Sequence, residues 1–80
     1  MKKLSYKTVF RWMQDATMQG VLNEEEGSMD SLEDADGFVW FALVDEVDGR
    51  KCVYFSTSLN PVPFATGRMT KTGKPRISWN

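Results

Sequence analysis

A single dipeptide, Asp48-Gly49, leaves this chain few folds to choose from. It stands between two runs rich in β-branched and aromatic residues, and a two-residue Asp-Gly loop favours the type I′ turn, whose backbone twist matches that of a hairpin. Such a turn fixes register. With Val47 opposite Arg50, the pairs that follow are Glu46 with Lys51, Asp45 with Cys52, Val44 with Val53, Leu43 with Tyr54, Ala42 with Phe55 and Phe41 with Ser56. The opposite charges of Glu46 and Lys51 favour the same register. A hairpin over residues 38–59 then carries Phe38, Trp40, Ala42, Val44, Val53, Phe55 and Leu59 on one face, a nearly continuous apolar surface. The other face holds Val39, Phe41, Leu43 and Tyr54 at its centre, with Asp45, Cys52, Ser56 and Ser58 around them.

A partner for the first face lies upstream. From Tyr6 to Gln19, residues Tyr6, Val9, Phe10, Met13, Ala16 and Thr17 share one side of a helix, with Ser5 as its N-cap and Gly20 as its stop. Trp12 falls at the edge of that side, and Met18 points away from it. Residues 23–37 read as an acidic connection that holds at most one short helix, capped by Ser28, with Met29 and Leu32 at i, i+3 spacing. Asn60-Pro61-Val62-Pro63 is a connector, because proline supplies no ladder donor. Residues 64–80 are a basic segment that forms a strand or a second hairpin around Lys71-Thr72-Gly73-Lys74, with Ile77 and Trp79 on one face. The expected fold is α+β and a single domain over residues 1–80: an N-terminal helix packed on an antiparallel β-meander of three to four strands.

Charge is divided along the chain. The 10 basic and 11 acidic residues nearly cancel, yet residues 24–48 hold acids and no base, whereas residues 49–80 hold bases and no acid. What is missing narrows the chemistry. The chain has 0 His, which removes the commonest general base and the usual zinc ligand, and 1 Cys, which excludes an internal disulfide. Cys52 reads as a buried, inert thiol. The longest apolar run, Phe38 to Val44, is far shorter than the ~20 residues of a membrane-spanning helix. Met1-Lys2-Lys3-Leu4-Ser5 is followed by Tyr6-Lys7-Thr8 and not by the apolar stretch of a signal peptide, so a cytoplasmic location is expected. The spacing from Gly67 to Gly73-Lys74 and the following Pro75 do not fit a phosphate-binding P-loop. Aligning Gly37 or Gly49 with the glycine of a calcium loop puts Leu32 or Val44 at the first ligand position.

No metal, no cofactor and no catalytic group is therefore expected, and the chain reads as a non-enzymatic interaction protein, a regulator, inhibitor or assembly subunit. Its contact residues would be Val39, Phe41, Leu43 and Tyr54, covered by the tail, a second copy or a protein partner. Glu24, Glu25, Glu26, Asp30, Glu33, Asp34 and Asp36 form a candidate acidic docking surface. The alternative is a nucleic-acid-binding protein in which Arg68, Lys71, Lys74 and Arg76 meet phosphates and Trp79 stacks on a base. These residues match the motif of no family. Short length and divided charge are features of small accessory proteins of phages and mobile elements, a likeness of kind and not of family.

Overall fold

Two helices precede five strands in the computed structural model, which describes residues 4–23, 27–57 and 62–79. The elements are α1 (Tyr6–Gln14), α2 (Ala16–Leu22), β1 (Met29–Glu33), β2 (Val39–Val47), β3 (Arg50–Thr57), β4 (Ala65–Met69) and β5 (Pro75–Trp79). The strands form one antiparallel sheet in the order β1-β2-β3-β4-β5, a meander of five strands where three to four were expected. At its centre, the β2–β3 register is the one the Asp-Gly turn dictates, from Val47 opposite Arg50 to Phe41 opposite Ser56. Asp48 and Gly49 both have positive φ, 54° and 76°, as a type I′ turn requires.

The extra strand is β1, in the stretch read as an acidic connection with a short helix. Met29 and Leu32 do not share a helix face; they alternate along a strand, with Leu32 opposite Trp40 and Met29 opposite Leu43. Ser28 pairs with the sheet instead of capping a helix, its carbonyl accepting from Val44 N at 2.8 Å. The paired tail is a full hairpin, and Pro75 opens its edge strand, a position where a missing backbone donor is harmless.

The single helix expected over residues 6–19 is broken at Asp15, and Gly20 is not its stop but an interior residue of α2. Ser5 caps α1 as expected, its hydroxyl accepting from Thr8 N. Asp15 adopts extended backbone, and its carboxylate accepts from Thr17 N at 2.9 Å, so the residue that ends one helix caps the next. The Gln19 side chain spans the break by donating to the Met13 carbonyl. Restarting the helix changes its phase. Met18, expected to face solvent, is fully buried, while Ala16 and Thr17, expected on the packed side, are exposed.

Both helices cover one face of the sheet. Tyr6 packs against Trp79 of β5, Met13 lies over Gly67 of β4, and Trp12 meets Phe55 of β3 and donates its indole N–H to Asp30 of β1 at 2.7 Å. Trp40, Ala42, Val44, Val53, Phe55, Phe64 and Ala65 complete the core beneath them. Leu59, expected to join this face, lies outside the described residues, as do Ser58, Asn60 and Pro61.

At Gly67 the helix layer lies close against the sheet. A Cβ there would stand 2.5 Å from Met13 Sδ and 3.0 Å from Phe55 Cε2. Gly67→Ala is therefore expected to destabilise the fold by about 1–3 kcal/mol, the usual cost of overfilling a packed interior. Denaturant titration should show a lower midpoint at constant slope; an unchanged midpoint would mean that Met13 simply swings aside.

Candidate functional site

The sheet has a second face, and neither helix reaches it. Alternation along the paired strands puts Met29, Ser31 and Glu33 of β1, Val39, Phe41, Leu43 and Asp45 of β2, and Cys52, Tyr54 and Ser56 of β3 on this side. Beyond them come Thr66 and Arg68 of β4, and Arg76 and Ser78 of β5. Val39, Phe41 and Tyr54 are half-buried by their neighbours within the sheet, and Leu43 is 38% exposed. The four residues read from the sequence as a contact patch thus share one face, in a row in which Leu43 is flanked by Met29 on one side and Tyr54 on the other. Met29, 55% exposed, extends the patch and was not anticipated, because its strand was read as helix. The tail does not cover this face; β4 and β5 widen it.

Cys52 is half-buried here and not sunk in the core. Its thiol and the Asp45 carboxylate adjoin the Tyr54 hydroxyl. The phenol is held protonated above its ordinary range, first by its hydrogen bond to Cys52 and the charge the thiolate would carry, then by burial, then by Asp45.

Charge runs across the face as it runs along the chain. Glu33 and Asp45 border the apolar patch, and Arg68 and Arg76 stand directly opposite each other at the far side, a like-charge pairing that costs stability. Lys71 and Lys74 are exposed in the turn beyond. Trp79 parts from this group. It faces the helices, stacked on Phe64 at 5.7 Å, so the basic residues and the indole do not form one surface. Of the tail's two glycines, Gly67 is buried under Met13, and Gly73 N donates to Thr70 O within the turn.

The acidic residues are divided in the same way. Asp30 accepts the Trp12 indole, and Asp34 accepts from Asp36 N, Phe38 N and Trp40 Nε1, so both serve the fold. Glu33 and Asp36 are exposed, and Glu24, Glu25 and Glu26 lie outside the described residues.

One concavity was invisible in the sequence. At the end of the sheet where β3 begins and β4 ends, a cleft of 540 Å³ is lined by Arg50, Lys51, Arg68 and Lys71 over Leu22 and Met69. Gln19, Asn23 and Thr70 complete its wall, and no carboxylate lines it among the described residues. Lys51 is anchored, donating to the Leu22 carbonyl at 3.0 Å. An adjoining hollow of 420 Å³ shares Arg50, Lys51 and Arg68 and adds Val47, Asp48 and Cys52.

Among the described residues no group of three Cys, Asp or Glu side chains is placed to hold a metal ion, and no helix is long and apolar enough to cross a membrane. No family model, no curated protein and no solved structure matches the chain.

Proposed function

We propose that the chain is a non-enzymatic interaction protein that docks a protein partner on the open sheet face, acting as a regulator, inhibitor or assembly subunit. One observation carries this reading: both helices cover one side of the sheet, and Val39, Phe41, Leu43 and Tyr54 are gathered on the side they leave open. Burying a fully exposed side chain of this kind gains about 1.5–3 kcal/mol; Val39, Phe41 and Tyr54 are already half-buried and Leu43 is 38% exposed, so each recovers a fraction of that and a partner gains by covering them together. Glu33 and Asp45 at one margin and Arg68 and Arg76 at the other would orient the partner.

The test is Leu43→Glu. Leu43 is more than one-third exposed, so the variant is expected to melt close to the wild-type temperature. In affinity capture followed by reconstitution with the purified captured protein, or in sedimentation of the chain alone if it self-associates, binding should be lost. Undiminished binding to the folded variant removes this face from consideration, and failure to fold identifies it as interior.

A second reading, nucleic-acid binding by the basic segment, is favoured by the Arg68–Arg76 pair, whose mutual repulsion a phosphate would relieve. Trp79 does not support it, since its ring packs against Phe64 and Tyr6.

A further inference from the structure

We infer that the cleft at the end of the sheet is a binding site for a phosphate-bearing ligand of nucleotide size. The inference does not rest on the protein-docking reading: Arg68 borders both surfaces, but Arg50, Lys51 and Lys71 belong to the cleft and not to the docking patch.

Three pieces of chain far apart in sequence build the cleft. Arg50 and Lys51 come from the start of β3, Arg68 from β4, and Lys71 from the turn that follows. Four cations surround one concavity, so a polyanion seated there meets charge of the opposite sign from three pieces of chain. Arginine and lysine together suit phosphate, the guanidinium by paired N–H donors and the ammonium by compact charge. Lys51 adds its charge from a fixed position, held by the carbonyl at the end of α2.

Size and floor narrow the ligand further. A volume of 540 Å³ far exceeds an inorganic phosphate and lies within the range of small-molecule pockets, about 300–1,000 Å³. Leu22 and Met69 give the cleft an apolar floor beside its charges, and a thioether is a good neighbour for an aromatic plane. An anionic group joined to a flat ring system fits both parts. Free nucleotides and the nucleotides of a single strand share that chemistry.

Calorimetric titration of the full chain with ATP, sodium pyrophosphate and a short oligothymidylate, each at low and at physiological salt, distinguishes the sources. ATP should bind saturably at one site and more tightly than pyrophosphate, and Arg68→Glu should weaken it about tenfold or more, as loss of a charge-assisted contact predicts. Arg68 is exposed and faces Arg76, so the substitution replaces a repulsion with an attraction and leaves the fold intact. Lys71→Glu, in the turn, should act in the same direction. Arg76→Gln should leave ATP binding unchanged, because Arg76 does not line the cleft and the amide puts no negative charge beside Arg68. Oligothymidylate binding that is lost in Arg68→Glu and kept in Arg76→Gln identifies backbone phosphate as the source and supports the same site. The inference fails if none of the three probes binds saturably, or if Arg68→Glu and Lys71→Glu both leave binding as it was. It also fails if only the oligonucleotide binds and Arg76→Gln weakens it as much as Arg68→Gln, which would transfer the contact to the open face of β4 and β5.

Discussion

Trp40→Ala is expected to lower stability by about 3–5 kcal/mol, the range for removing a fully buried aromatic side chain. The indole is completely enclosed, with Phe38 at 5.0 Å and Phe64 edge-on at 5.5 Å between ring centroids. It also donates to Asp34 across the β1–β2 turn at 3.2 Å. An 80-residue chain has about 4–12 kcal/mol to lose, from ~0.05–0.15 kcal/mol per residue. The variant should therefore melt roughly 12–40 °C lower than wild type, or fail to fold at all. Phe41, its neighbour in sequence, projects to the opposite face and is only half-buried, so Phe41→Ala should cost distinctly less. Equal losses at the two positions would mean that both faces of the sheet are interior and that something beyond the described residues covers the second. The contrast between neighbours is thus a direct physical test of the one-sided fold on which the docking proposal depends.

That contrast was legible in the sequence because it rests on local rules. An Asp-Gly turn with positive φ at both residues fixes cross-strand partners over the whole β2–β3 pair, and strand alternation then sorts Trp40 from Phe41 without any tertiary information. The remaining differences have non-local causes. β1 consists of Met-Asp-Ser-Leu-Glu, with no β-branched or aromatic residue and with an Asp and a Glu, which strands disfavour, and it holds its place because β2 supplies a ladder and Trp12 an indole donor from 18 residues away. The break at Asp15 competes with an unbroken amphipathic stripe; a capping carboxylate and the burial of Met18 decide in its favour, and neither is apparent in a helical projection. The docking residues follow from alternation, whereas the basic cleft depends on bringing Arg50 and Lys51 beside Arg68 and Lys71. Only β3–β4 pairing and the position of α2 accomplish that.

Asp34→Ala should cost about 3 kcal/mol, although the residue belongs to an acidic segment that invites reading as solvated surface. One carboxylate oxygen accepts from Asp36 N at 2.9 Å and Phe38 N at 3.0 Å, and the other accepts from Trp40 Nε1 at 3.2 Å. Its backbone closes the same turn, donating to Phe38 O and accepting from Gly37 N, each at 3.0 Å. Alanine removes these side-chain bonds at once. Water can replace the acceptor at Asp36, which is exposed, but not at the indole N–H of fully buried Trp40, and an unsatisfied buried donor costs about 1–3 kcal/mol by itself. Glu33→Ala, on an exposed carboxylate next in sequence, should stay within about 0.5 kcal/mol of wild type. Asp34→Asn should fall between the two, since the amide oxygen still accepts but without charge. A double-mutant cycle with Trp40→Phe isolates the indole contact, with an expected coupling of about 0.5–3 kcal/mol. A coupling near zero, with Asp34→Ala no worse than Glu33→Ala, would return Asp34 to the acidic surface and leave the turn to be held by its backbone bonds alone.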